Sequence, residues 1–342
     1  MMMFMASTPT IIPPRHPFVK ALVDGLAHRC EVTHGQRLLL AVSGGGDSVA
    51  MLRGMALIAQ RRRWQLKLVV GHVQHHLRDE AEIEAAFVAE LAKQLHLPFA
   101  RADVTINHVA GNCEEQARQL RYDALLAMAK EHDCSAIVTA HHGGDQLETL
   151  LMRLLRGAGL RGLGAMAWSR PLDETVRLIR PMLMTDHLTA LDFLQRIDQR
   201  WYEDHTNADT TRLRALLRES VIPQLLAIRS DLPGQVVTTT DQLRSISDML
   251  DAQCQEQLVA CRLSAMRYSR KQLKSLADPM RAMVLRQMLV DAGVSADRIN
   301  ASQLQQLGRM LQDGHGNVRT FQFGRKVCVL LSKQYLTVQF SD

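Results

Sequence analysis

Short, wholly apolar runs alternate with longer stretches of helical periodicity over the first 200 residues of this 342-residue chain. Arg37-Leu38-Leu39-Leu40-Ala41-Val42 has no polar residue after its first position, as a strand covered on both faces requires. Glycines break the run, and a helix is predicted over 47–59. A second strand is expected at 66–73, then a helix over about 79–95 with Ile83, Phe87, Val88 and Leu91 on one face. Residues 98–104 read as a weaker third strand. The stripe Ala117, Leu120, Leu125 and Met128 marks a helix over 114–132, residues 135–140 a fourth strand, and Ile179-Arg180-Pro181 the end of a fifth. Strands joined by helical crossovers give right-handed βαβ units. The expectation is therefore an α/β fold with a doubly wound, mostly parallel sheet, its crevice beyond the carboxyl ends of the strands.

The pattern changes after Pro223. Long helical stretches at 240–262 and 270–292 give way to alternating runs at 319–323 and 327–338. These predict a smaller C-terminal domain over 231–342, helical first and then α+β, with Asp231-Leu232-Pro233-Gly234 as its hinge. Residues 17–230 make the large domain, and 1–16 read as a disordered leader that lacks the basic and long apolar regions of a secretory signal.

Composition narrows the class. Hydrophobic residues at 46% and charged residues at 22% are ordinary for a globular protein, and no apolar run is long enough to span a bilayer, so a soluble chain without membrane partners is expected. Six cysteines without a C-x-x-C pair point to a reducing cytoplasm. A net charge of +6 allows a polyanionic partner, because Lys and Arg replace counterions along a phosphate backbone. Arg61-Arg62-Arg63 reads as the solvated end of a helix.

The chemistry starts at Ser43-Gly44-Gly45-Gly46-Asp47-Ser48, between the first strand and the helix that follows it. Glycine backbone there can approach phosphates while amide hydrogens and the helix dipole face them, so Ser43, Gly44, Gly45, Gly46, Asp47 and Ser48 are the candidate ATP-binding residues. The Gly-Lys-Ser/Thr ending of a Walker loop is absent. Gly157-Ala158-Gly159-Leu160-Arg161-Gly162 does match G-x-G-x-x-G, but it follows a helix, which argues for a mobile or substrate-facing loop rather than a dinucleotide site.

Other clusters admit two readings each. Asp145 and Glu148 lie three apart at a helix start, so both can project from one face into the crevice or merely complement the helix dipole. His72, His75, His76, His141 and His142 could suggest a metal, yet without paired thiols or H-E-x-x-H a substrate contact is the better reading. Glu114, Arg118 and Arg121 have helical spacing that a salt bridge would explain. Arg153, Arg156 and Arg161 cluster around the glycine loop as a phosphate-binding rim or a solvated face.

The loop resembles the marker of the PP-loop ATP pyrophosphatase superfamily. Within it the chain is most similar to the tRNA(Ile)-lysidine synthetases, through His72-Val73-Gln74-His75-His76-Leu77-Arg78, the segment from Glu114 to Tyr122, the segment from His141 to Gly157, and Glu203-Asp204-His205-Thr206-Asn207-Ala208-Asp209. The resemblance implies an ATP-dependent ligase that adenylates C2 of the wobble cytidine in tRNA(Ile) with a CAU anticodon and joins L-lysine to it. It places Mg²⁺ on Asp47 and Asp145, the two catalytic candidates, and gives substrate or RNA contacts to His72, His75, Arg78, Glu114, Arg118, Arg121, His142, Glu148, Arg153, Arg156, Arg161, Asn207, Arg214 and Arg218. Departures from the pattern fall at Gln74, His76, Gly144 and Ala215. A tRNA thiolase of the same superfamily and a noncatalytic tRNA-binding relative are the alternatives, and a homodimer is one of the assemblies the sequence allows.

Overall fold

The computed structural model describes residues 16–74, 81–105, 113–202, 212–295, 298–313, 318–323 and 327–340; the side chains of 81, 113–115 and 212 are outside that set. The expected leader up to residue 15 also lies outside it, as do His75, His76, Arg78 and Asn207. The chain divides into two compact units, Met1–Arg244 and Ser245–Asp342.

The first unit begins with α1 (Pro17–Asp24). His16, assigned above to the leader, is instead buried: its Nδ1 caps α1 by accepting from the Phe18 N–H at 3.2 Å, and its Nε2–H reaches Asp192 at 2.9 Å. The chain then runs β1 (Arg37–Ala41), α2 (Gly46–Ala59), β2 (Lys67–Gln74), α3 (Ala81–Gln94), β3 (Phe99–Asp103), α4 (Cys113–Glu131), β4 (Ala136–Val138), α5 (Gly143–Leu155), α6 (Leu160–Leu163), β5 (Ser169–Pro171), β6 (Arg177–Ile179), α7 (His187–Arg196), α8 (Arg212–Leu216) and α9 (Ile222–Ile228). The sheet order is β3-β2-β1-β4-β6-β5, parallel except for the edge strand β5.

Alternation along the strands explains the two layers. Leu38, Leu40, Leu68, Val70, Ala136 and Val138 face one core with α1, α2 and α7, while Leu39, Val69, Ile137 and Leu178 face a second core with Tyr122, Leu125 and Met128 of α4. Because β2 and β4 lie on opposite sides of β1, the strand order reverses between β1 and β4. The crevice for a ligand in such a sheet opens there, beyond the carboxyl ends.

The long helix α10 (Leu232–Cys261) has residues on both sides of the division between units. Asp231-Leu232-Pro233-Gly234 is therefore not a hinge. Pro233 sits in the first turn of α10, where its missing N–H breaks no helical bond. The second unit continues with β7 (Arg262–Ser264), β8 (Arg267–Ser269), α11 (Arg270–Ser275), α12 (Asp278–Asp291), α13 (Ala301–Gln312), β9 (Arg319–Phe323), β10 (Val327–Leu331) and β11 (Tyr335–Phe340). Its antiparallel sheet, β7-β8-β11-β10-β9, closes a separate core around Tyr268, Leu285, Leu289, Leu307, Val329 and Leu336.

Candidate active site

The glycine loop occupies the switch point. Gly44 has φ +105°, a conformation side chains resist, and a methyl group on Gly46 would meet Leu191 of α7 at 2.6 Å and Trp201 at 3.3 Å. Ser48 ties the loop from within. Its hydroxyl donates to the Gly45 carbonyl at 2.8 Å and accepts from the Ser43 and Gly44 N–H groups, each at 3.2 Å. The Ser48 side chain thus holds the loop's shape, a role the sequence reading as a direct ATP contact did not anticipate. The first helical bond of α2 runs from the Val49 N–H to the Gly45 carbonyl, so the N–H groups of Gly46, Asp47 and Ser48 form its electropositive end.

Asp47, in the first turn of α2, faces two imidazoles. His187, the first residue of α7, places its Nδ1 3.0 and 3.1 Å from the two carboxylate oxygens, and His142 places Nε2 at 3.6 Å. A carboxylate only accepts, so His187 Nδ1 carries the proton. The bond to Asp47 raises the His187 pKa above its ordinary value. His142 caps α5: its Nδ1 accepts from the Gly144 N–H at 3.0 Å, while Asp145 accepts from the His142 N–H at 2.9 Å.

That cap fixes the tautomer of His142. With Nδ1 accepting, the proton is on Nε2, which points between Asp47 and Asp145 at 3.6 and 3.7 Å. Asp47, His142 and His187 bring three potential ligand atoms within 4.8 Å of one another, but a protonated Nε2 is a donor and not a metal ligand. Burial alone would raise the Asp145 carboxyl; His142, His141, the His142 N–H and Arg218 outweigh it and hold the pKa below its ordinary value.

Several expected substrate contacts take structural positions. His72 is buried, its Nδ1–H bonded to the Val42 carbonyl at 2.8 Å just beyond β1, and desolvation lowers its pKa below the ordinary value. Glu148 is buried and pairs with Arg214 and with Arg218, whose Nη2 lies at 2.9 Å, while Arg218 also acts on Asp145. Arg153 donates to the carbonyls of Gly162 and Ala165 at 2.6 and 3.2 Å and thereby anchors the glycine loop that was expected to be mobile or substrate-facing. Arg156, Arg161 and Arg121 are exposed, and Arg118 lies against Tyr122. Glu114 lies on α4.

Two residues of the site escaped the sequence reading. His187 stands in no motif; the only signal is Asp186, which caps α7 through the Thr189 N–H at 2.7 Å. Gln146, between Asp145 and Glu148, is fully buried and exchanges bonds with both backbone groups of Met166 while donating to Thr240 at 2.8 Å. It holds α5 in place rather than meeting a ligand.

Comparison with known proteins agrees with this geometry. Residues 19–225 match the PP-loop domain family. A tRNA(Ile)-lysidine synthase from a Synechococcus species is 32% identical over 295 residues, covering 85% of this chain and 88% of that protein. One from a Nostoc species is 37% identical over 192 residues, covering 56% and 55%. Among solved structures, a U34-tRNA thiolase from Methanococcus maripaludis superposes with a TM-score of 0.56 at 15% identity, covering 66% of this chain and 78% of that one, a likeness of fold. Matched over 19–225 to the PP-loop domain and over most of both chains to a lysidine synthase, this chain belongs to the tRNA(Ile)-lysidine synthase family of PP-loop proteins.

Proposed function

We propose that the protein modifies tRNA(Ile) bearing a CAU anticodon, adenylating C2 of the wobble cytidine with release of pyrophosphate and then joining L-lysine there with release of AMP. The observation that supports this best is the convergence of Asp47, in the first turn of α2 behind the phosphate loop, and Asp145, in the first turn of α5, on His142 Nε2 at 3.6 and 3.7 Å. The name shared by the relatives supplies the substrate.

In this reading the triphosphate lies on the N–H groups that open α2, where the helix dipole favours negative charge. Asp47 and Asp145 offer the hard oxygen donors that Mg²⁺ takes, and would hold it together with phosphate oxygens. The ion, when bound, neutralises charge that builds on the departing pyrophosphate. His142 Nε2–H, 3.6 and 3.7 Å from the two carboxylates, adds electrostatic attraction to both without a hydrogen bond to either. Ser48 keeps the loop in its binding shape before any ligand arrives.

Sulfur transfer fits less well. Burial pushes the Cys30 thiol up to about 12 and the Cys134 thiol up to about 11, so neither is a thiolate at neutral pH. The described cysteines are free thiols, and no described helix is long and apolar enough to cross a membrane, in keeping with a cytoplasmic enzyme. We assign tRNA positioning to the second unit, where Lys271, Lys274 and Lys333 ring a cleft beside Tyr335.

The test is incorporation of radioactive lysine into a tRNA(Ile) transcript with a CAU anticodon, given ATP and Mg²⁺, scored with AMP and pyrophosphate release. Lysine and AMP in matching yield are expected. Pyrophosphate without lysine transfer would assign another nucleophile, and RNA binding without turnover would make the protein a noncatalytic relative.

A further inference from the structure

Three guanidinium groups gather around one buried phenol with no carboxylate to answer them. Arg118 of α4 lies over the Tyr122 ring, its Cζ 5.2 Å from the centroid, and donates to the Tyr122 hydroxyl at 3.3 Å. Arg170 of β5 lies over the same ring, also at 5.2 Å. Arg180, one residue beyond β6, is 3% exposed; its Nη1 donates to the Ala167 carbonyl at 2.7 Å, but its Nε–H is shut away from solvent without an acceptor. Among the described residues none of the three forms an ion pair with Asp or Glu, although such pairs are common elsewhere in the chain.

The electrostatic consequence is visible in the neighbours. Burial, with repulsion from Arg170 and Arg118, pushes the Arg180 guanidinium down to about 10. Burial, with repulsion from Arg180, Arg118 and Arg121, holds the His141 imidazole below its ordinary value. Cations collected in a partly desolvated place without a counter-ion are unfavourable, and a cluster kept only for packing would carry acids among them. An anion completes it.

The position says which substrate brings that anion. Tyr122 packs in the core on the α4 side of the sheet, whereas the phosphate loop and α2 belong to the other side. Arg180 follows β6 and His141 follows β4, so the cluster stands at the carboxyl ends of the strands, across the sheet from the nucleotide. Arg121, one turn further along α4, also adds its charge to the surroundings of the Tyr122 phenol. A single carboxylate would be satisfied by one guanidinium fork; a line of forks leading outward suits a polyanion.

We propose that Arg118, Arg170 and Arg180 around Tyr122 form the pocket that takes a backbone phosphodiester of the RNA substrate, on the side of the sheet away from ATP. This rests on the reading of the second substrate as a tRNA. Arg118 and Arg170 supply the forks, and Arg180 supplies a fixed buried charge behind them.

The experiment is titration of the full-length protein with labelled tRNA(Ile) transcript over a salt series, without turnover. Arg118→Gln and Arg170→Gln should each weaken binding by about tenfold and flatten the salt slope by about 0.9, with the affinity for a nonhydrolysable ATP analogue unchanged. Arg118→Lys and Arg170→Lys should restore the slope but only part of the affinity. Arg63→Gln, an equal charge loss at the exposed end beyond α2, should alter neither affinity as much. Unchanged RNA binding with a raised KM for lysine and lost discrimination against lysinamide would overturn the proposal in favour of a carboxylate pocket. No change in any of these would make the cluster structural. Because RNA binding is read on its own, a protein that binds the transcript but incorporates no lysine defeats the proposed function and leaves the pocket standing.

Discussion

Ser48 shows how one hydroxyl can decide whether a loop is a ligand site or a floppy connection. Removing it in Ser48→Ala leaves the Ser43 and Gly44 N–H groups without their acceptor, at a cost of about 1–3 kcal/mol. The expected outcome is a lower urea midpoint and a higher KM for ATP with a smaller change in kcat; an unchanged midpoint would refute the internal tie. His187 makes a prediction with a sign. Its folded pKa is raised by Asp47, so the pair's contribution to stability is fully present below the unfolded value of 6.5 and fades as pH rises through the folded value. The wild-type advantage in Tm over His187→Gln should therefore be greatest in mildly acidic buffer and shrink with rising pH. An advantage independent of pH from roughly 5.5 to 8.5 would contradict it. The ring is half exposed, so solvent screening keeps the effect small.

At the scale of elements, the entry to α2 is built on close approach. Gly46→Ala would bring a methyl group to 2.6 Å from Leu191 Cδ2 and 3.3 Å from Trp201, so the end of the Leu191 side chain or the loop must shift. A loss of about 1–3 kcal/mol is expected, together with weaker ATP binding, measured by denaturation and by calorimetric titration. Retention of both would show that the Leu191 side chain yields freely. The same region marks the limit of what the sequence disclosed. β1, β2 and β4 were legible because a parallel strand buried on both faces leaves a largely apolar run, and Leu38-Leu39-Leu40 is such a run, whereas β3 at the sheet edge is half-exposed and gave the weaker signal. The edge strand β5 was not legible, since Ser169-Arg170-Pro171 is short, polar and proline-containing, whereas β6 is the strand expected to end at Ile179-Arg180-Pro181. Pro233 misled for a definite reason: a proline that opens a helix and one that ends a linker look alike until the following turn is seen. The phosphate loop could be found from glycines and position, but burial decided the rest. His72 and Glu148 carry functional side chains in a functional segment and spend them on Val42 and on Arg214 and Arg218. His187 reaches Asp47 across 140 residues of chain, a distance no local pattern bridges.

For the molecule as a whole, the two cores are the relevant division. A nucleotide bound at the loop stabilises the native state by mass action, about 2.7 kcal/mol at a hundredfold excess over Kd, and the gain belongs first to the unit that holds it. Hydrogen exchange with an ATP analogue should slow in 38–59 and 136–155 and remain as it was in the core amides of 284–311; equal slowing in both would mean the units open together. The strand order has another consequence, for synthesis. β1 is flanked by β2, made soon after it, and by β4, made roughly a hundred residues later. At ribosomal rates of about 5–20 residues per second, one edge of Leu38-Leu39-Leu40 waits on the order of 5–20 s for its partner. For that interval the nascent chain presents an open apolar strand edge, the template on which chains pair with one another. The yield of folded protein should therefore depend on how well elongation speed and chaperone occupancy are matched over residues 42–136.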